Sequence, residues 1–147
     1  MITGEYRVAL DDKSRLLIPT RVRSEIAGDS LVLTKGIDSC LWLFHPDEWR
    51  KISTSILTST SMFQTQGRMI QRRILAPAVE LEVDKTGRIT IPPLLREHAG
   101  LKKDCVVLGM IKYLEIWDEE AYQQYQSSTE ASLGELSDQI AIMWPKE

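Results

Sequence analysis

Two aspartate–arginine pairs are the residues of this sequence whose type and spacing could do chemistry. Asp11 precedes Arg15 by four residues, and Asp84 precedes Arg88 by the same interval. In a tight turn, an aspartate can accept backbone N–H bonds and hold an arginine four residues later. An arginine that faces outward can instead contact both acceptors of a guanine. Each pair therefore has two interpretations, a turn fastened for structural reasons and a cation presented to nucleic acid.

Both pairs belong to a segment that occurs twice. Residues 10–19 and 83–92 each read as an apolar residue, Asp, three turn residues, Arg, three strand residues and Pro. Every position of the first segment lies 73 residues before its counterpart in the second, and the likeness extends over about residues 5–50 and 78–123. One small structural unit is therefore repeated along most of the chain.

Further cations surround the two arginines. The side chains predicted to contact DNA are Lys13, Arg15, Arg21, Arg23, Lys85 and Arg88, with Arg96 in a similar position in the second copy. Asp11, Asp84 and Gly87 are predicted to shape the turns. A two-stranded β-ribbon fits the major groove of DNA, which makes a turn flanked by short strands a suitable carrier for such cations. The first copy is the more basic one, and we expect it to be the main DNA contact.

An enzymatic function has little support in the residues. The two histidines, His45 and His98, have neither metal-ligand nor triad spacing, and no nucleophile, phosphate-loop or dinucleotide motif occurs. The second copy has Asp84–Lys85 where the first has Asp11–Asp12, so only the first of the two acids is repeated. Turn formation explains this repeated aspartate. We predict no catalysis, metal, cofactor or small-molecule substrate. Cys40 and Cys105 lack paired spacing and are interpreted as small core residues.

The repeated pairs require strands and turns to position them. Residues 5–10 alternate in polarity as a half-buried strand does, and residues 15–18 form a second, short strand, so the segment between them is predicted to close a tight hairpin. Gly87 suits the left-handed position of such a turn. Ser14 occupies the equivalent position in the first copy, where a positive φ is costly.

The rest of each copy is predicted to be a short helix, a strand pair and a second helix. The short helices are expected at residues 20–27 and 94–99, before Gly28 and Gly100, and the strands at 31–33, 41–44, 106–108 and 114–117. Longer helices are expected to start near residues 45 and 118. Residues 62–75 look helical and carry Arg68, Arg72 and Arg73, whereas residues 53–66 are either a mobile connection or a polar helix. Residues 133–144 form a last helical stretch, with Leu133, Leu136, Ile140 and Met143 on one stripe.

The predicted fold class is therefore α+β, with two pseudo-repeats of a hairpin, short helix, strand pair and helix. The predicted divisions are a first repeat at 1–52, a helical connection at 53–77, a second repeat at 78–126 and an acidic helical tail at 127–147. Half-sized repeats of this kind leave strand edges and apolar faces unpaired, which favours strand exchange or association of several copies.

Composition and charge permit a nucleic-acid partner. The chain has 147 residues, 43% of them hydrophobic and 27% charged, with a net charge of −3. Residues 115–147 contain eight acids and one lysine, which leaves 17 basic and 13 acidic residues in the rest. No apolar run approaches the roughly 20 residues needed to cross a bilayer, and no signal peptide is evident in residues 1–28. The sequence therefore predicts a cytoplasmic protein without a membrane partner.

The double Asp-x-x-x-Arg pattern, together with Leu114-Glu115-Ile116-Trp117, resembles the MraZ family of bacterial transcriptional regulators, whose paired units are similar to the swapped-hairpin fold of the AbrB class. The resemblance implies a ring-shaped homo-oligomer that binds short direct repeats of double-stranded DNA upstream of the division and cell-wall gene cluster, including its own gene. It also implies association with the nucleoid, and it makes Asp11, Arg15, Asp84 and Arg88 the motif residues. Ser14 departs from the usual glycine of the motif.

Two other functions remain open at this point. The first is a ring-forming interaction protein whose Asp–Arg pairs are purely structural. The second is a small enzyme, which would need a polar pocket containing a perturbed titratable group. We expect repression of transcription by a DNA-binding protein, with Leu17 as a candidate contact residue between copies.

Overall fold

The computed structural model describes residues 2–26, 28–143 and 145, which form eight strands and five helices. The strands are β1 (Ile2–Ala9), β2 (Arg15–Leu17), β3 (Ser30–Lys35), β4 (Leu41–Phe44), β5 (Val79–Glu82), β6 (Arg88–Thr90), β7 (Asp104–Ile111) and β8 (Leu114–Asp118). The helices are α1 (Thr20–Glu25), α2 (Pro46–Ser59), α3 (Thr65–Ile74), α4 (Pro93–Ala99) and α5 (Glu119–Met143). The predicted α+β class is confirmed.

The two repeats exchange their first strands. In the antiparallel sheet of order β1-β7-β8-β4-β3-β5, strand β1 of the first repeat pairs with β7 of the second, and β5 of the second repeat pairs with β3 of the first. Strands β2 and β6, one from each repeat, form a separate two-stranded ribbon. Neither repeat therefore has a complete set of strand partners of its own.

This exchange corrects the predicted simple hairpins. The turn after Leu10 does close, because the Asp11 N–H donates to the Arg15 carbonyl at 3.0 Å and a bridge joins Leu10 to Leu16. Beyond the bridge, β1 and β2 pair with strands of the other repeat instead of with each other. The exchanged pairing buries Leu16 and Ile89 completely, whereas an isolated two-stranded hairpin is at best marginally stable in water.

A pseudo-twofold axis relates the repeats. Leu16 pairs with Ile89 in the ribbon, and Trp42 pairs with Glu115 at the β4–β8 junction of the sheet. In both pairs the partners are 73 positions apart, so each residue meets its own repeat equivalent. The predicted repetition of one unit therefore appears in the structure as a pseudo-twofold symmetry within one fold.

The main core lies between one face of the large sheet and the layer formed by the ribbon, α1 and α4. Completely or almost completely buried residues of that layer include Ile18, Val22, Ile91 and Leu95. A smaller cluster on the opposite face contains Cys40 and Trp117, and α5 packs there through Tyr122. Both cysteines are buried, as predicted for core residues.

The predicted strands and most predicted helices are present, with shifted ends. Helix α1 ends at Glu25 instead of residue 27, and Ala27 lies outside the described residues. Gly100 ends α4 with φ 60°, as its position predicts. Residues 53–66, predicted to be either a mobile connection or a polar helix, contain the end of α2, a non-helical link at residues 60–64 and the start of α3.

The C-terminal segment is one helix, because α5 continues from Glu119 to Met143. The two helical stretches predicted there are therefore joined. Residue 144 and the Met143 side chain lie outside the described part, whereas Leu133, Leu136 and Ile140 are exposed. In the described part of the chain, no helix is both long and apolar enough to cross a membrane.

Candidate nucleic-acid interface

The β2–β6 ribbon places both motif arginines on its outward face. Arg15 pairs with Thr90 and Leu17 with Arg88, while the residues between them, Leu16 and Ile89, point into the core. Successive side chains of a strand alternate between faces, so the buried central pair forces both arginines outward. The arginines occupy diagonal positions of one small antiparallel ladder.

The first turn is organised by the Asp11 carboxylate. Its Oδ1 accepts the N–H groups of Lys13 and Arg15 at 2.9 and 2.8 Å, and its Oδ2 accepts Arg15 Nε at 2.8 Å. These bonds, of which that from the Arg15 backbone N–H has the largest effect, lower the pKa of Asp11. The ion pair uses Nε, and the Arg15 side chain remains 38% exposed. Asp11 thus fixes the direction of Arg15 without covering it.

The second turn uses its aspartate differently. Asp84 Oδ1 accepts the Thr86 hydroxyl at 2.6 Å and the N–H groups of Thr86 and Arg88 at 2.8 and 3.0 Å. The bond from the Thr86 hydroxyl is the largest cause of a lowered pKa of Asp84. Within residues 2–26, 28–143 and 145, the Arg88 guanidinium has no hydrogen-bond or ion-pair partner. The two arginines therefore differ in how firmly their side chains are held.

Each turn is buttressed by an arginine from the other repeat. Arg96 of α4 donates a hydrogen bond to the Ser14 hydroxyl. Its repeat equivalent, Arg23 of α1, packs over Gly87, where an added Cβ would lie 2.6 Å from Arg23 Cζ. Ser14 and Gly87 are the left-handed residues of the two turns, with φ of 60° and 81°. Ser14 therefore has the positive φ that was predicted to be costly in the first turn, and its hydroxyl accepts a hydrogen bond from Arg96.

This packing separates Arg23 from the other predicted DNA contacts. Its Nη2 donates to Thr20 Oγ1 at 3.1 Å, while its Nε is buried and has no hydrogen-bond partner among the described residues. The predicted cations Lys13, Arg21 and Lys85 are solvent-exposed near the turns. Sequence reasoning did not identify the buttressing role, although the 73-residue offset between Arg23 and Arg96 was a signal for it.

The arginines of α3 lie elsewhere. Arg73 donates to the carbonyls of Gly36 and Ile37, each at 3.0 Å, and so holds the turn between β3 and β4. Arg68 donates to the Met62 carbonyl at 3.0 Å, and Arg72 is exposed. At least Arg68 and Arg73 therefore have structural partners within the chain.

The other titratable groups in the described part of the chain form no recognisable reaction centre. Among the described residues, no three His, Cys, Asp or Glu side chains are grouped so that they could hold a metal ion. Burial is the main cause that lowers the pKa of His98 and raises the pKa of Cys105 to about 12, which disfavours the charged form of each. The ribbon and its turns are the strongest candidate site.

The fold and the site define a class of protein, a two-repeat α+β protein of the swapped-hairpin type in which both repeats contribute to one cationic ribbon. The chain belongs to the MraZ family. The family model described as "MraZ protein, putative antitoxin-like" matches residues 1–73 and again residues 74–140.

Curated relatives resemble the chain over most of its length. The transcriptional regulator MraZ of Treponema denticola is 45% identical over 139 residues, which cover 95% of this chain and 96% of that protein. The transcriptional regulator MraZ of Treponema pallidum strain Nichols is 45% identical over 129 residues, or 88% and 87% of the two chains. That of Caldanaerobacter subterraneus subsp. tengcongensis is 41% identical over 140 residues, or 95% and 96%.

Proposed function

We propose that this protein is a sequence-specific DNA-binding transcriptional regulator that acts as a ring-shaped homo-oligomer. The observation that carries the proposal is the β2–β6 ribbon, which presents Arg15 and Arg88 on one outward face. The relatives, transcriptional regulators at 41% and 45% identity, support the same class of function.

The ribbon has suitable dimensions for reading DNA. Diagonal neighbours on an antiparallel pair lie about 7–8 Å apart, which is close to two base-pair steps of about 3.4 Å each. Arg15 and Arg88 occupy such a diagonal and reach the major groove together, where an arginine that contacts both acceptors of a guanine contributes about 1–3 kcal/mol of discrimination. Lys13, Lys85 and Arg21, which are exposed beside the turns, bind phosphates.

A single ribbon is too weak to act alone. A handful of phosphate contacts gives non-specific dissociation constants of about 10⁻⁴ to 10⁻⁶ M, strongly dependent on salt. Several ribbons held in one assembly gain avidity of about 10² to 10⁴ without new contacts. A ring of subunits along short direct repeats of DNA meets this requirement, because each subunit then meets one repeat.

The resemblance to the MraZ family supports the choice of target. We propose that the protein binds upstream of the division and cell-wall gene cluster, including its own gene, and represses it. This function places the protein in the cytoplasm, at the nucleoid. Binding of DNA explains the arrangement of the β2–β6 ribbon and its turns, so the proposed function requires neither catalysis nor a cofactor.

The experiment is a titration of fluorescent DNA from immediately upstream of the gene, at two salt concentrations, against a shuffled duplex of the same composition. Wild-type protein is expected to prefer the upstream DNA, and Arg15→Ala/Arg88→Ala is expected to lose that preference while remaining folded. Arg50→Ala/Lys51→Ala on α2 is the matched control, because it removes the same charge from exposed positions away from the ribbon. The proposal would be contradicted if the ribbon variant, Arg15→Ala/Arg88→Ala, bound the upstream DNA with the affinity and the salt dependence of wild type.

The second candidate is a ring-forming interaction protein with structural Asp–Arg pairs. The 2.8 Å ion pair between Asp11 and Arg15 favours it, since that contact fastens the turn by itself. In this case the ribbon variant would lose thermal stability while the wild-type protein showed no preference for the upstream DNA. Melting curves measured on the same samples distinguish the two functions.

A further inference from the structure

The outward face of the β2–β6 ribbon carries two side chains besides the motif arginines. Thr90 lies directly opposite Arg15, and Leu17 lies directly opposite Arg88. The central pair of this short ladder is completely buried, so the residues on either side of it point away from the core. Directly opposite side chains of an antiparallel pair have Cβ atoms about 4.5–5.5 Å apart. The two arginines and the two shorter side chains therefore form one compact patch.

The pseudo-twofold axis relates these side chains in pairs. Arg88 is the repeat equivalent of Arg15, and Thr90 is the repeat equivalent of Leu17, each 73 positions later in the chain. The arginines are thus identical on the two sides of the axis, whereas an apolar side chain on one side corresponds to a hydroxyl on the other. A fully symmetric ribbon would read a DNA segment equally well in both directions, because the symmetry of a site mirrors that of the protein that reads it.

Direct repeats of DNA require a reader with a direction. The proposed ring lies along repeats that all point the same way, so each subunit must distinguish the two directions of its site. The cations beside the turns do not make this distinction through phosphates, because phosphate contacts carry no sequence information directly. The difference between Leu17 and Thr90 lies on the face that meets the bases.

The position of Leu17 does not demand an apolar residue. Leu17 is half-buried, and Thr90 is exposed at the equivalent position of the same ladder. Since the ribbon accommodates a threonine in one repeat, the packing of the two strands does not account for a leucine in the other. An apolar side chain on a cationic, outward face is therefore suited to a contact outside the chain.

Leucine and threonine favour different groups in the major groove. Thymine presents its C5-methyl group there, and an apolar side chain that packs against this group favours thymine. Leucine has neither a hydrogen-bond donor nor an acceptor, so a base that places a polar group against it leaves that group without a partner. A threonine hydroxyl both donates and accepts, and it therefore tolerates several bases.

We propose that Leu17 is a specificity-determining residue, which packs against the C5-methyl group of a thymine in the major groove, beside the guanine contacted by Arg88. Cβ atoms about 4.5–5.5 Å apart span about one to two base-pair steps, so the thymine lies within about two base pairs of that guanine. Thr90 occupies the less selective half of the site. This inference rests on the proposed function, and it identifies the base group that sets the direction of each subunit on its repeat.

The assignment also changes the role of Leu17. The sequence made it a candidate contact residue between copies. Its place opposite Arg88, on the outward face of the ribbon, favours a contact with DNA instead.

The test removes single methyl groups from the DNA and uses the full-length chain. In the shortest upstream duplex that wild-type protein prefers, deoxyuridine replaces each thymine in turn, which preserves base pairing because the two bases differ only in the C5-methyl group. For wild-type protein, replacement of the thymine that Leu17 contacts is expected to weaken binding about 4-fold, the loss of about one buried methyl group. Leu17→Ala is expected to bind that duplex and the unmodified one equally.

An exchange of side chains tests the direction of reading. Leu17→Thr gives both sides of the ribbon the same residue and is expected to lose the sensitivity to deoxyuridine. Leu17→Thr/Thr90→Leu moves the leucine to the other side, and it is expected to regain the sensitivity at the same thymine with the subunit lying in the opposite direction. Fluorescence energy transfer from a label on the protein to one end of the duplex measures that direction.

Leu94→Ala is the control, because Leu94 of α4 is 74% exposed and lies outside the ribbon. It is expected to keep the sensitivity of wild type, and melting curves establish that each variant is folded. The inference would be overturned by undiminished sensitivity in Leu17→Ala, by lost sensitivity in Leu94→Ala, or by a double variant that stays insensitive.

The wild-type protein alone separates this inference from the proposed function. A wild type without preference for the upstream duplex over the shuffled one would contradict the proposed function. A wild type that prefers the upstream duplex, yet binds every deoxyuridine duplex as tightly as the unmodified one, would support the proposed function and overturn the role of Leu17.

Discussion

The guanidinium of Arg96 donates a hydrogen bond to the Ser14 hydroxyl and thereby joins a helix of the second repeat to the turn of the first. Its repeat equivalent Arg23 packs over Gly87 in the other direction, without a hydrogen bond to it among the described residues. The conformation of each turn therefore depends on the other repeat. Since Arg15 and Arg88 follow these turns directly, we interpret Arg23 and Arg96 as residues that position the ribbon instead of contacting DNA.

The contact between Ser14 and Arg96 predicts a specific pattern in a double-mutant cycle. Arg96→Met is expected to lower the free energy of unfolding by about 1–2 kcal/mol, because it leaves the Ser14 hydroxyl without its partner. Ser14→Gly is expected to be nearly neutral alone, since relief of the left-handed serine offsets the lost bond, but to stabilise the Arg96→Met variant by about 1 kcal/mol. Urea unfolding of the four proteins measures the coupling. Additive effects would refute the contact.

The positioning role also predicts how salt affects DNA binding. Arg96→Met is expected to weaken binding while leaving the slope of log affinity against log salt unchanged, because no phosphate contact is lost. Lys13→Met, at an exposed position in the turn, is expected to reduce the magnitude of that slope by about 0.9. Titrations between 50 and 200 mM salt, about the range in which such slopes are well resolved, compare the two variants. A reduced slope for Arg96→Met would assign that arginine to DNA.

Gly87→Ala is predicted to destabilise the protein for two separable reasons. The residue has φ 81°, and the added Cβ would lie 2.6 Å from Arg23 Cζ. Gly100→Ala is the matched control, because its φ is 60° and a Cβ there meets nothing within 4 Å. We expect a loss of about 1 kcal/mol for the control and about 2–4 kcal/mol for Gly87→Ala, measured by urea unfolding.

The steric part of that loss has its own check. Arg23→Ala opens the space beside Gly87, so Gly87→Ala should cost less in the Arg23→Ala background and approach the value of the Gly100→Ala control. If Gly87→Ala lowered the free energy of unfolding equally in the wild-type and Arg23→Ala backgrounds, the backbone conformation alone would restrict this position.

The two aspartates predict a dependence of stability on pH. The turns hold the pKa values of Asp11 and Asp84 below the usual 3.8, so their stabilising effect is complete above pH 3.8 and is lost as the pH falls through the lowered native values. Asp11→Asn/Asp84→Asn should therefore be less stable than wild type at pH 7, and the difference should shrink below pH 3.8. Urea unfolding across this range measures it. Asp12→Asn, which removes the charge of an exposed carboxylate in the same turn, is the control for the loss of charge.

The repeat, its turns and most of its elements could be predicted because they depend on local pattern. Alternation identifies a strand and its buried face, as for Leu16, and Gly100 marks the end of a helix. Pattern does not identify the partner strand. Both a hairpin and an exchanged pairing put Leu16 in the core, and the choice depends on the total surface that the two repeats bury together. Strand exchange was therefore expected from the half-sized repeats only as an alternative to association of copies, and otherwise from the family resemblance.

The sequence predicts the motif residues of the candidate site, but not the contacts that hold those residues in place. Arg21 and Arg23 are two positions apart and equally basic, yet Arg21 is exposed and Arg23 packs on Gly87. The difference arises from contact with a residue more than 60 positions away. Likewise, identical Asp-x-x-x-Arg spacing did not reveal that Asp11 holds its arginine while Asp84 accepts the Thr86 hydroxyl.

That difference between the turns predicts unequal contributions of Arg15 and Arg88 to DNA binding. Asp11 already orders the Arg15 side chain, whereas Arg88, lacking a partner in the described part of the chain, must lose its rotamer freedom on binding, which costs about 0.5–1.5 kcal/mol for such a side chain. Arg15→Ala should therefore weaken binding to the upstream DNA more than Arg88→Ala, by about 2- to 10-fold. Asp11→Asn removes the charge that holds Arg15, so the gap should be smaller in an Asp11→Asn background. Anisotropy titrations of Arg15→Ala and Arg88→Ala in the wild-type and Asp11→Asn backgrounds test it. Equal losses for the two arginines would mean that Asp11 does not preorganise Arg15 for DNA, and the ion pair would then be explained by the stability of the turn alone.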